Sequence, residues 1–128
     1  MDYSRGSETI LLVEDEEPLR RLCTEFLEQL GYKLLSAPNG REALTMVKGY
    51  PDKIHLLITD VLMPELPGPE LAEAVLALRP DIKVIFISGY ADGSLAPNGV
   101  LKPGTVLVRK PFTIRALTAT LREVLGPA

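Results

Sequence analysis

Thr9-Ile10-Leu11-Leu12-Val13 runs without a break into Glu14-Asp15-Glu16-Glu17 and then Pro18. The apolar run lacks the in/out alternation of a strand with one wet face, so it reads as a strand covered on both sides. Pro18 suits the first turn of a helix. Leu19, Leu22, Cys23, Phe26, Leu27 and Leu30 then recur at spacings of three and four, the apolar stripe of that helix, and Gly31 suits its end. A doubly covered strand, an acidic turn and an amphipathic helix make the opening unit of an α/β fold.

Three further runs have the character of the first: Ile54-His55-Leu56-Leu57-Ile58, Val84-Ile85-Phe86-Ile87 and Val106-Leu107-Val108. Tyr32 to Ala37 is a weaker fifth strand, suited to a sheet edge. Helical patterns lie between them. They fall at Arg41 to Lys48 with Ala43, Leu44 and Val47 inward, at Pro69 to Leu78 between Gly68 and Arg79-Pro80, and at Ile114 to Leu125 before Gly126. Gly93, Pro97, Gly99, Pro103 and Gly104 crowd the stretch 91–104, which leaves room for only a short or irregular fourth helix. The alternation predicts a doubly wound α/β domain over residues 9–126, with five parallel strands, helices on both faces and right-handed crossovers. Residues 1–8 read as a flexible lead-in.

Bulk properties narrow the function. The 128 residues, 46% of them apolar, suffice for one core. A formal charge of −3 supplies no basic field for nucleic acid or anionic lipid, so direct DNA binding is not expected. No apolar run has the length of a membrane span, and the opening MDYSRGSE lacks the basic start and apolar stretch of a signal peptide. The expectation is a cytoplasmic domain. Cys23, the one cysteine, falls on the apolar stripe and reads as a small buried side chain. His55, the one histidine, opens a strand at its amino end, away from the acidic turn, and reads as structural rather than as a phosphohistidine.

In an open α/β sheet, ligands bind beyond the carboxyl ends of the strands, where strand order reverses. Those ends carry Glu14-Asp15, Asp60, Ser88 and Lys110-Pro111. Each alone has an ordinary explanation: acids favoured at a helix N-terminus, a turn aspartate, a capping serine, a surface lysine. Their gathering on one rim is harder to ascribe to chance. Carboxylates from the first and third strands would repel each other unless a cation lay between them. All-oxygen ligands suit Mg2+ or Mn2+, and the lack of Cys and His clusters argues against zinc. A phosphoryl group arriving at Asp60 would meet a metal and an ammonium to neutralise its oxygens and a hydroxyl to donate to them.

Val13-Glu14-Asp15-Glu16, Thr59-Asp60-Val61-Leu62-Met63-Pro64 with Gly68, Ile87-Ser88-Gly89 and Lys110-Pro111-Phe112 resemble, in order and spacing, the four signatures of the response-regulator receiver family of two-component systems. The resemblance spans about residues 9–126. It implies the flavodoxin-like strand order 2-1-3-4-5. It also implies that Asp60 is the phosphoacceptor, that Asp15 is a direct Mg2+ ligand and Glu14 one acting through water, and that the backbone carbonyl of Leu62 is a further ligand. Ser88 would hydrogen-bond the phosphoryl group, Lys110 would pair with it, and the Lys110–Pro111 peptide would be cis. The implied donor is a phosphohistidine on a histidine kinase or histidine phosphotransfer protein. The chain would then be a signalling phosphoacceptor that catalyses only its own phosphorylation and dephosphorylation. Ser88-Gly89-Tyr90-Ala91-Asp92 is similar to receivers at the C-terminus of hybrid sensor kinases. Leu107 departs from the family, which usually carries an aromatic there. That departure moves the expected reporter of phosphorylation to Tyr90 and the following Gly/Pro-rich segment.

Competing readings fit less well. A phosphatase of the haloacid-dehalogenase type would place its nucleophile at the end of the first strand in a D-x-D pattern, which Glu14-Asp15-Glu16-Glu17 does not supply. A flavin-binding module needs phosphate donors after that strand, where four acids would repel a phosphate. A receiver-like module that only binds partners is expected to have lost Asp15, Asp60 or Lys110, and all are present.

Overall fold

The computed structural model describes residues 5–89 and 106–126. Along the chain lie β1 (Thr9–Val13), α1 (Glu17–Gln29), β2 (Lys33–Ala37), α2 (Gly40–Gly49), β3 (Leu56–Asp60), α3 (Gly68–Leu78), β4 (Lys83–Ser88), β5 (Val106–Arg109) and α4 (Ile114–Leu125). All strand pairs are parallel and the order is β2-β1-β3-β4-β5, the flavodoxin-like arrangement expected. The stretch expected to hold a short or irregular helix lies outside the described residues, as does Tyr90.

Side chains alternate across a strand, and this sorts the core into two layers. Leu11 and Val13 of β1, Leu57 of β3 and Phe86 of β4 pack with Val47 of α2 and Leu71 and Val75 of α3. Ile10, Leu12, Ile58 and Ile85 pack on the other face with Cys23 and Leu27 of α1 and Leu117 and Leu121 of α4. Every residue of β1 and β3 is buried, which is why neither run shows polar alternation. Leu107 is half-buried against the α2/α3 layer. Cys23 is buried as expected, and burial, with the Glu14 charge adding to it, pushes its thiol up to about 11.

Several local expectations shift. Leu22 was placed on the inward stripe of α1, yet it is 52% exposed. It lies about 100° round the helix from Cys23, past the edge of the buried face. Tyr32 does not begin β2, because its N–H closes the end of α1 on Leu27 O at 3.2 Å. Ile54 and His55 precede β3 rather than opening it. His55 still joins the sheet end, since its Nδ1 accepts the Thr9 N–H at 3.0 Å, a structural role remote from the acids. Gly31 ends α1 at φ 107°, a conformation that costs an L side chain.

The domain also reaches further toward the N-terminus than the strands do. Gly6 N–H donates to Leu30 O at 3.2 Å, and Arg122 of α4 grips Glu8 through contacts of 2.7 and 3.1 Å. Residues 5–8, part of the expected lead-in, are therefore tied to the body of the fold. Among the described residues no helix is long and apolar enough to cross a membrane.

Candidate functional site

Parallel pairing brings the carboxyl ends of β1, β3, β4 and β5 to one rim. Glu14 and Asp15 follow β1, Asp60 is the last residue of β3 and Ser88 the last of β4. Lys110 follows β5, and its N–H donates to Ser88 O at 2.7 Å, which fixes the lysine beside the neighbouring strand end. The Lys110–Pro111 peptide is cis, as the resemblance implied. An open cleft of about 580 Å3 sits above these ends, with Asp15, Leu19, Asp60, Leu62, Lys110 and Phe112 in its walls.

Charge is concentrated at the cleft floor. Glu14 is 1% and Asp60 4% exposed, whereas Asp15 is exposed. Lys110 Nζ lies 3.2 Å from Asp60 Oδ1 and 3.4 Å from Glu14 Oε1, so it is the counter-ion to both buried acids. Burial, followed by the adjoining Glu14 carboxylate, pushes Asp60 up to about 8 despite the opposing pull of Lys110. Burial disfavours the charge on Lys110, but Asp60 and Glu14 outweigh it and hold the ammonium above its usual range.

These residues fit a divalent cation. Carboxylate oxygens of Glu14, Asp15 and Asp60 lie within 4.8 Å of one another. Among the described residues Glu14 Oε1 is buried without a hydrogen bond and has only the Lys110 ammonium, 3.4 Å away, near it, which leaves this oxygen open to a second cation. An all-carboxylate donor set suits Mg2+ or Mn2+. Leu62 is 67% exposed on the cleft wall, where its backbone could add an oxygen.

The structure thus brings Glu14, Asp15, Asp60 and Lys110 together. Ser88 is buried at the same rim, with its hydroxyl donating to Gly89 O at 2.9 Å, and it does not line the cleft. Sequence reasoning missed three contributors. Arg20 donates through Nη1 to Glu14 O at 2.8 Å, and Thr59 Oγ1 to Asp60 O at 3.1 Å. Gly68 was read as a signature glycine that opens the third helix, without its contact to the site; its N–H bonds Val61 O at 2.8 Å, and a Cβ there would collide with Asp60 O.

A parallel α/β module with an acid-and-lysine cleft at its switch point has the form of a phosphoacceptor domain. Comparison with known proteins makes the class specific: the sequence model of the response regulator receiver domain matches residues 10–122. Sensor kinase CckA of Brucella abortus (strain 2308) is 38% identical over 94% of this chain, which spans 13% of that relative. Response regulator receiver protein CpdR of the same organism is 35% identical over 91% of the chain and 95% of its own length. Among solved structures, the receiver domain from hybrid histidine kinase CckA has a TM-score of 0.78 and 33% identity, covering 92% of this chain and 99% of that one. A receiver domain protein from Clostridium thermocellum has a TM-score of 0.81 and 27% identity, covering 92% and 94%. The chain belongs to the response regulator receiver family, and so to two-component signalling.

Proposed function

We propose that this receiver takes a phosphoryl group onto Asp60 from a phosphohistidine donor, in a reaction that needs a divalent cation, and so relays a two-component signal. The observation that carries the reading is Asp60 at the cleft floor, with two further carboxylates within 4.8 Å and the Lys110 ammonium at 3.2 Å. Asp60 supplies the attacking oxygen, the phosphorus–nitrogen bond of the donor breaks, and the imidazole leaves. Lys110, already paired with Asp60, stays to neutralise oxygens of the acyl phosphate. Ser88 serves by turning its hydroxyl from Gly89 O toward the phosphoryl group. Asp15, Asp60, Glu14 through water and the Leu62 carbonyl would hold Mg2+ or Mn2+, which when bound supplies positive charge to phosphoryl oxygens.

The same groups serve hydrolysis of the acyl phosphate, so the chain acts on itself and turns over no separate substrate. The partner that supports this reading is a histidine kinase or histidine phosphotransfer protein; the net charge of −3 offers nothing for nucleic acid. Mass spectrometry after incubation with a small phosphodonor tests it. One phosphoryl group should add to the parent with Mg2+, and none with chelator or in Asp60→Asn. An equal gain in Asp60→Asn would overturn the assignment.

A further inference from the structure

We propose that Arg20 is a positioning residue for the divalent cation, holding the turn between β1 and α1 so that Glu14 and Asp15 are set before the cation arrives. The inference rests on the metal site of the preceding section and concerns a residue outside its ligand set.

The acidic turn has few anchors. Glu14 N–H bonds Ala37 O at 3.1 Å and fixes the end of β1, while Glu16 N–H bonds Glu14 Oε2 at 3.0 Å and fixes that carboxylate. On the helix side, Glu16 at the N-cap of α1 makes no side-chain capping bond, so the first turn does not secure the loop in the usual way. Arg20 fills that place. Its own N–H bonds Glu16 O at 3.0 Å, and its guanidinium returns across the turn to Glu14 O at 2.8 Å. The carbonyl it grips belongs to the peptide that joins Glu14 to Asp15. Rotation of that peptide would move the exposed Asp15 carboxylate relative to the buried Glu14 and Asp60. A hydrogen bond from a charged donor to a buried residue's carbonyl is the kind worth most for such a restraint.

Two effects of this guanidinium on metal affinity have opposite signs, which makes the proposal decidable. As a cation near carboxylates it repels Mg2+, so its removal should tighten binding if charge is all it contributes. As a clamp it keeps ligands in place, and outer-shell partners of this kind are worth about 10–100-fold in affinity. Arg21 separates the effects, because it carries the same charge one residue on but pairs with Glu17 at 2.8 Å on the exposed face of α1.

The experiment is a calorimetric MgCl2 titration of the parent, Arg20→Ala, Arg20→Lys and Arg21→Ala, with thermal unfolding of each in chelator. Arg20→Ala should bind Mg2+ on the order of tenfold more weakly. Arg20→Lys, which can still donate to the carbonyl, should recover part of the loss, and Arg21→Ala should match the parent. Arg20→Met, which keeps the aliphatic stem but cannot donate to the carbonyl, carries the same expectation as the alanine variant and replaces it if alanine prevents folding. Unchanged or tighter binding in Arg20→Ala overturns the role, even if the unfolding midpoint falls, since a merely structural arginine would do that. So does an Arg20→Lys no better than alanine. A parent that shows no Mg2+ binding removes the metal site and this proposal together, whereas a binding parent with an unaffected Arg20→Ala removes the role of Arg20 alone.

Discussion

Asp15 and Lys110 flank Asp60 with opposite charge, and their contributions should separate cleanly. Asp15 is the exposed member of the carboxylate group, while Lys110 already lies within 3.4 Å of both buried acids. With Asp15 as the proposed direct ligand, Asp15→Ala is expected to weaken Mg2+ binding by more than about tenfold, since outer partners alone are worth that much. Lys110→Ala removes a cation that lies outside the proposed ligand set, so Mg2+ binding should persist while phosphorylation or its consequences are impaired. Titration of both variants with Mg2+ decides the matter, and equal losses of affinity would contradict the division of roles. Ser88 differs from these residues because its hydroxyl donates to Gly89 O, so the role proposed for it requires that hydroxyl to turn.

Between β3 and α3 the backbone has little freedom. Glu65 takes φ 70° inside a turn closed by Leu66 N–H on Pro64 O at 2.7 Å, an uncommon conformation for a residue with a side chain. Three residues later Gly68 begins α3 directly against the Asp60 carbonyl, closer than any Cβ could come. Gly68→Ala should therefore cost about 2 kcal/mol, the usual range for overpacking. It should also weaken Mg2+ binding, because Asp60 must give way. Gly49→Ala is the matched control: it lies at the end of α2 with open space around its Cβ position, and it should be neutral or stabilising by a few tenths of a kcal/mol. Urea unfolding of the two variants measures the contrast, and similar midpoints would show that the approach of α3 to β3 is not tight.

The two ends of the sheet should respond to pH in opposite ways. At the amino end Arg122 bonds Glu8 and holds its carboxyl below the usual glutamate value. A depressed acid stabilises above its unfolded pKa, and that contribution is lost as pH falls through the folded value. At the carboxyl end Asp60 is raised from 3.8 to about 8, so its contribution is present at low pH and is lost as pH rises across that interval. Metal-free protein should thus be most stable in mild acid and lose stability toward pH 8. Mg2+ should offset most of that loss by binding the folded state. Thermal unfolding between about pH 5 and 8.5, in chelator and in excess Mg2+, tests both signs. A chelated protein more stable at pH 8 than in mild acid would refute the account of Asp60.

Much of this molecule is legible along the chain. β1 and β3 show as unbroken apolar runs because both of their faces are covered, and the acids and Lys110 follow the strands because parallel pairing sends every carboxyl end to one side. Periodicity records burial within a few residues, and strand ends record direction, so fold and candidate site could both be read locally. Pairings between distant or rotationally distinct side chains could not. Arg20 and Arg21 are adjacent and alike in sequence, yet a rotation of about 100° sends one to Glu14 O and the other to Glu17. Leu22 repeats with the apolar stripe but falls outside the width that packing covers. Glu8 and Arg122, 114 residues apart, meet only because α4 returns to the amino end of β1. Which arginine clamps the acidic turn was decided by its rotation on α1, and which glycine must have no side chain by the approach of α3 to β3, a distance that no local pattern encodes.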